Sequence, residues 1–145
     1  MMDWRISGMN KYETWKNGRQ KLFDSLPVKF AFSEEQFKKG MAELGVENEN
    51  ELFSFGYGGF MRKADKQLLD DFLNSDDFEK QKQDREFLVD MFYYELGNHE
   101  YGYTYDLQET LDACEVTSED LQNEMIADCL EIARQKYLKD YEQYN

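Results

Sequence analysis

Four carboxylates near the C-terminus, Asp120, Glu124, Asp128 and Glu131, recur at helical spacing. At 100° per residue they fall within an arc of about 80°, and each four-residue step advances about 6 Å along the axis. Such a row can be a solvated helix face, or it can imitate a phosphate backbone and enter a basic nucleic-acid channel. Calcium is the weaker reading, because no D-x-[DN]-x-[DN]-G loop is present. His99 is the one histidine and the one side chain that titrates near neutrality. It follows a helical stretch and has Glu95 and Glu100 nearby, which favours a helix cap or hydrogen bond, with acid–base chemistry as the alternative. Cys114 and Cys129 sit on apolar helical faces, where a thiol pKa rises and the sulfur is not activated. Gly56-Tyr57-Gly58-Gly59 offers backbone N–H groups to a phosphate but lacks the Gly-Lys-Ser/Thr of a P-loop. A structural turn is the simpler reading there.

Composition removes whole classes of function. The chain has 145 residues, with 31 Asp and Glu against 17 Lys and Arg, for a net charge of −14. With a pI near 4.4 it does not bind nucleic acid directly through a basic surface. One His and two separated Cys exclude a zinc finger, a His-pair metalloprotease and a disulfide scaffold, so no metal and no cofactor are expected. Hydrophobic residues make up 41% and aromatics 16%, which is enough for a packed core despite a mean hydropathy of −0.86. There is no run of 18 apolar residues and no apolar signal segment, so no membrane association is expected and the reading is cytoplasmic.

The charge is unevenly placed. Residues 1–30 carry six Lys or Arg against three acids, whereas residues 31–145 carry eleven against twenty-eight. From Glu86 to Ala133 there is no Lys or Arg against thirteen acids. Local i,i+4 pairing cannot neutralise that stretch. Solvent, the basic N-terminal helix or a partner must do so.

The elements that position these groups follow from periodicity. Tyr12, Trp15, Arg19, Leu22, Phe23 and Leu26 form a helical stripe ended by Pro27. Val28 to Phe32 alternates as a short strand. Ser33 and Gln36 form a capping box for a helix with Phe37, Met41 and Leu44 inward, stopped by Gly45. Leu52 to Arg62 reads as a β-hairpin around the glycines. Asp65 caps a helix with Leu68, Leu69 and Phe72. After a break at Asn74 to Asp77, a helix runs to Leu96 with Phe87, Leu88, Met91 and Phe92 inward, closed by Gly97-Asn98. Tyr101, Tyr103 and Tyr105 alternate as a strand with one aromatic face. Asp106 caps a short helix containing Leu107, Leu111 and Cys114. A last helix runs from about Thr117 to Tyr141, with Leu121, Met125, Ile126, Cys129, Ile132 and Ala133 inward. The expectation is a mostly helical α+β fold, with about five helices and a small antiparallel sheet or hairpin. Residues 1–8 read as a disordered leader, Met9 as a second start, and 9–145 as a single compact domain.

Several segments read together as a family signature. They are Phe30-Ala31-Phe32-Ser33, Gly58-Gly59-Phe60-Met61-Arg62-Lys63, Met91 through Tyr101, and Thr104-Tyr105-Asp106. Over about residues 9–116 the chain resembles an uncharacterised family of small acidic proteins from Gram-positive bacteria and their phages and mobile elements. The resemblance implies no catalytic residue. It implies a host-interaction or anti-defence role, since small acidic proteins of such elements are often inhibitors of nucleic-acid enzymes.

Three readings follow. The first is a non-catalytic binding protein that presents Asp120, Glu124, Asp128 and Glu131 to a basic protein surface, such as that of a nucleic-acid-handling enzyme. The second is a small enzyme or ligand-binding protein with a site between two loops. One loop carries Gly56, Gly58, Gly59 and Phe60, and the other carries Asn98, His99, Glu100 and Tyr101. The third is an oligomeric structural or assembly factor of a mobile element. The sequence leaves oligomeric state open.

Overall fold

The computed structural model describes residues 10–144. The leader expected at residues 1–8 and the start at Met9 lie outside the described residues. In order, the elements are α1 (Lys11–Asp24), β1 (Val28–Phe30), α2 (Glu34–Glu43), β2 (Leu52–Gly56), β3 (Gly59–Arg62), α3 (Lys66–Leu73), α4 (Asp77–Gln81), α5 (Arg85–Asn98), α6 (Tyr101–Thr104), α7 (Gln108–Ala113) and α8 (Glu124–Tyr144). Short 3-10 turns precede β2, α3 and α8. The fold is mostly helical with one small antiparallel sheet, as the periodicity predicts. The helical part is divided more finely than about five helices. The described residues form two compact units: Arg19–Ser75, and those on either side of it.

In the smaller unit, β3 lies between β1 and β2, antiparallel to both. Val28 faces Met61 on one side and Phe53 faces it on the other, so Met61 is fully buried. A bulge between Ser54 and Gly56 leads into a two-residue turn. Tyr57 and Gly58 both have positive φ, 54° and 79°, which a type I′ hairpin turn requires. Phe60 turns to the other face and joins Met41 and Val46, with Phe37, Leu44 and Leu52 packed around them. Helix α2 begins as predicted at Ser33, whose Oγ accepts the Gln36 N–H. The return bond lands one residue earlier than a capping box places it, from the Phe32 N–H to Gln36 Oε1. Gly45 ends the helix in the left-handed region, and the Val46 N–H reaches back to the Met41 carbonyl. Arg19, the polar member of the first stripe, lies over the Phe72 ring at 3.9 Å and donates to the Phe72 carbonyl.

In the larger unit, α5 and α8 pack along each other. Phe87, Leu88, Met91, Phe92 and Leu96 of α5 are buried against Cys129, Leu130 and Ala133 of α8. A helix with apolar residues nearly all round belongs in the middle of a core. Tyr12 and Trp15 close one side, with Trp15 stacked on Phe78 at 4.7 Å and edge-on to Phe87.

Several expected elements differ. The helix expected from Asp77 to Leu96 is two, because Asp84 has extended backbone and caps α5 by accepting the Glu86 N–H. Gly97 is inside α5 and does not end it; the left-handed residue is Glu100, with φ 54°. Tyr101, Tyr103 and Tyr105 form no strand. Glu100 and Tyr105, both left-handed, bracket a single helical turn, so Tyr101 is buried while Tyr103 and Tyr105 are exposed. Asp65 holds the N-cap position of α3 without capping it. Leu22 and Ile132, expected inward, are exposed, and Leu130 takes the buried place.

Candidate functional site

The acidic stripe is interrupted. Asp120 lies on the 3-10 turn Asp120–Gln122, and only Glu124, Asp128 and Glu131 share α8. The interruption is local chemistry. Asn123 has extended backbone, and its Oδ1 accepts the Met125 and Ile126 N–H groups, so a new helix starts there. Asp120 is used internally: its carboxylate accepts the Thr117 N–H, and Thr117 Oγ1 accepts the Asp120 N–H. The hydrogen bonds that Thr117 gives the carboxylate, the backbone one foremost, hold it below the ordinary value. Glu131 takes both Arg134 Nε and Nη2, at 2.9 and 2.7 Å, and also Gln135. The Arg134 bonds first, then Gln135, lower its carboxyl to about 2. Glu124 and Asp128 are exposed and make no ion pair among the described residues.

The surrounding acids are partly relieved by α1. Lys11 bonds Asp84 and Glu86 at 3.2 and 2.8 Å, which raises the lysine pKa and lowers that of Asp84. The Lys11 N–H also donates to Asp90. Lys80 pairs with Asp76 and Lys82 with Glu79, yet the balance stays acidic. By sequence the larger unit carries nine Lys or Arg against twenty-one acids, net −12, whereas the smaller carries eight against ten, net −2. Glu100, Asp106, Glu115 and Glu119 join Glu124 and Asp128 as exposed acids of the larger unit without an ion pair among the described residues.

The two candidate loops belong to different units: Gly56 to Phe60 to the smaller, Asn98 to Tyr101 to the larger. Each lines a groove of its own unit. Gly58, Gly59 and Phe60 border one of about 430 Å³ together with Ser33, Phe37 and Ser54. Gly58 is there for close approach, since a Cβ would lie 2.7 Å from the Ala31 carbonyl oxygen. Its own carbonyl accepts the Ala31 N–H, tying the turn to the strand end. Gly56 lies open at the start of the turn. This arrangement is a structural turn.

On the other loop, Asn98 donates to Glu95 Oε1. His99 follows α5 directly, its Nδ1 3.5 Å from Glu109 Oε2, while Nε2 is buried without a hydrogen-bond partner. Tyr101 is buried against Tyr105 and Tyr137. Glu100 borders a second groove, of about 410 Å³, with Gly97, Tyr103, Tyr137 and Tyr141.

Two buried charged groups escaped the sequence reading. Glu95 is 2% exposed; its carboxylate accepts from the Tyr12 hydroxyl and Asn98, and its backbone carbonyl accepts from Thr110. Burial, then the Glu95 charge, raises the Tyr12 hydroxyl and the Cys114 thiol far above their ordinary values. The signal was available, because Glu95 continues the stripe of Leu88, Met91 and Phe92. Lys82 is 8% exposed and donates to the carbonyls of Cys114 and Glu115, with its ammonium 4.4 Å from the Phe78 ring centroid. No local pattern marked that residue. Cys129 is also raised by burial, so neither thiol is activated. Among the described residues no three His, Cys, Asp or Glu side chains converge as a metal site, and no helix is long and apolar enough to cross a membrane.

Residues 11–136 match a family of unknown function (DUF7659), which covers both units and every candidate residue above. The chain belongs to that family. The match runs past the segments that carry the resemblance and includes the first part of α8. Neither a curated protein nor a solved structure matches the chain.

Proposed function

We propose that this protein is a non-catalytic binding protein whose larger unit engages a basic surface of another protein. The observation that carries the reading is the charge of that unit, net −12, with Glu124 and Asp128 exposed on α8 and making no ion pair among the described residues. Carboxylates left without internal cations cost the fold repulsion and favour a cationic partner through long-range steering. Glu131 flanks the surface but is shared with Arg134, and Asp120 contributes charge while holding its own turn. The partner fitting this chemistry is a nucleic-acid-handling enzyme whose phosphate channel the carboxylates occupy, as in an anti-defence inhibitor of a mobile element.

The test is capture from nuclease-treated lysate with the tagged chain at low and high salt. The expected result is a basic nucleic-acid enzyme that is retained at low salt, released at high salt, and displaced by duplex DNA. The double variant Glu124→Gln/Asp128→Asn weakens capture, since each rim charge acts mainly on association rate and salt dependence. Unchanged capture by that variant, or a partner insensitive to salt, overturns the reading.

A further inference from the structure

The groove beside Glu100 is built mainly from rings. Tyr103, Tyr137 and Tyr141 line it, Gly97 places no side chain in front of Tyr137, and Glu100 borders it. Tyr103 is 81% exposed, an unusual position for so large a ring. Its placement is enforced. Left-handed Glu100 and Tyr105 bracket the turn that carries it, and Gly102 at the middle of that turn lies directly against the Tyr141 ring, where a Cβ would come within 2.6 Å. Tyr137 is fixed as well, because its hydroxyl accepts the Gly102 N–H at 3.1 Å.

Ring faces attract cations, and elsewhere in this chain they already hold them: Lys136 over Tyr93, Lys82 over Phe78 and Arg19 over Phe72. Among the described residues no cation lies over Tyr103, and Glu100 makes no ion pair. A groove of tyrosine rings with one free carboxylate at its edge, in a strongly acidic unit, is complementary to a planar cation. A guanidinium group both stacks on a ring and pairs bidentately with a carboxylate, which an ammonium does not do.

We infer that this groove is an anchor site for an arginine side chain of a basic protein partner. Tyr103 and Tyr137 stack the guanidinium and Glu100 pairs with it. The inference rests on the binding reading above and adds the residue type that the partner must present.

The experiment uses the full chain, with its tyrosines labelled for NMR, and two probes: nona-arginine and nona-lysine peptides. Nona-arginine is expected to shift the Tyr103 and Tyr137 ring signals and to bind more tightly than nona-lysine. Tyr103→Ala and Gly97→Leu, which remove a ring and fill the groove, are expected to weaken nona-arginine roughly twofold to fivefold, the range for an exposed cation–π contact. Nona-lysine affinity stays within error, and Tyr103→Phe keeps nona-arginine affinity because the ring is retained. Tyr103 is exposed, so its variants leave the fold intact. Equal affinity for the two peptides with unmoved tyrosine signals overturns the anchor. If binding then still falls with salt and with Glu124→Gln/Asp128→Asn, the acidic-surface reading stands without it. Absence of salt-sensitive binding by either peptide overturns both.

Discussion

The larger unit carries net −12 and the smaller net −2, although the two differ less in size than in charge. They also differ in what holds them. The larger is organised around α5, where Leu88, Met91, Phe92 and Leu96 are wholly removed from solvent. The smaller packs α2 on a three-stranded sheet around Met41, Val46 and Phe60, with α3 beside it in sequence, and leaves Phe30, Phe32 and Tyr57 exposed. An acidic composition is thus a property of one unit. A deep apolar core can carry a shell of mutually repelling carboxylates, because burial of apolar area supplies far more free energy than screened surface repulsion removes. The smaller unit has little core to spare and a nearly balanced surface.

The sharpest way to break this comparison is to hollow each core. Phe92→Ala is expected to destabilise the protein by about 3–5 kcal/mol, measured by urea unfolding, because a wholly buried ring leaves both lost transfer energy and a cavity. Met41→Ala, at the margin of the smaller core, belongs at the low end of its class, about 2 kcal/mol. Equal losses would remove the distinction in depth.

Next in size is Lys82→Met. It keeps the apolar stem but withdraws the donor from the Cys114 and Glu115 carbonyls, at an expected cost of about 1–3 kcal/mol by the same unfolding measurement. Smaller and opposite in sign is Glu115→Gly. Glu115 has φ 53° at the end of α7, where the Val116 N–H bonds the Leu111 carbonyl, the same closure that Gly45 makes in the smaller unit. Relief of the left-handed strain is expected to stabilise the protein by about 0.5–1 kcal/mol, after the added chain entropy of glycine is subtracted. A thermal melt would register it.

The smallest effect concerns pH. In the folded protein Arg134 and Gln135 lower Glu131 from 4.5 to about 2. A depressed carboxyl contributes stability above its unfolded value and loses it as pH falls through the folded one. The contribution is therefore present at pH 6, declines below about 4.5, and is gone only below the folded value, near about pH 1. The pair is exposed and solvent-screened, so it amounts to a few tenths of a kcal/mol. Glu131→Gln is expected to be less stable than the parent at pH 6 and equal to it at about pH 1; a gap that persists there would assign the loss to packing instead.

The sequence by itself determined the elements whose signals are local. Pro27, the Ser33 cap, the Gly45 stop, the hairpin glycines and the apolar stripe of α5 each act through neighbours within a turn or two, so type and order could be read from spacing. It also determined that the charge is uneven, because composition does not depend on the fold. Three things were decided only in three dimensions. Tyr101, Tyr103 and Tyr105 alternate as a strand would, but among the described residues no strand pairs with them; Gly102 closes on Tyr141, and the segment becomes a helical turn between two left-handed residues. The row from Asp120 to Glu131 has helical spacing, yet Asn123 gives its side chain to the α8 N–H groups and Asp120 gives its own to Thr117, so the row is cut. Glu95 and Lys82 are buried polar groups that, besides Asn98 and Glu79 one turn away, depend on partners 15 to 83 residues away in sequence. Periodicity reports which face of an element is apolar. Which distant hydrogen-bond partner makes burial of a charge tolerable is set only when the chain is packed, because that partner is remote along it.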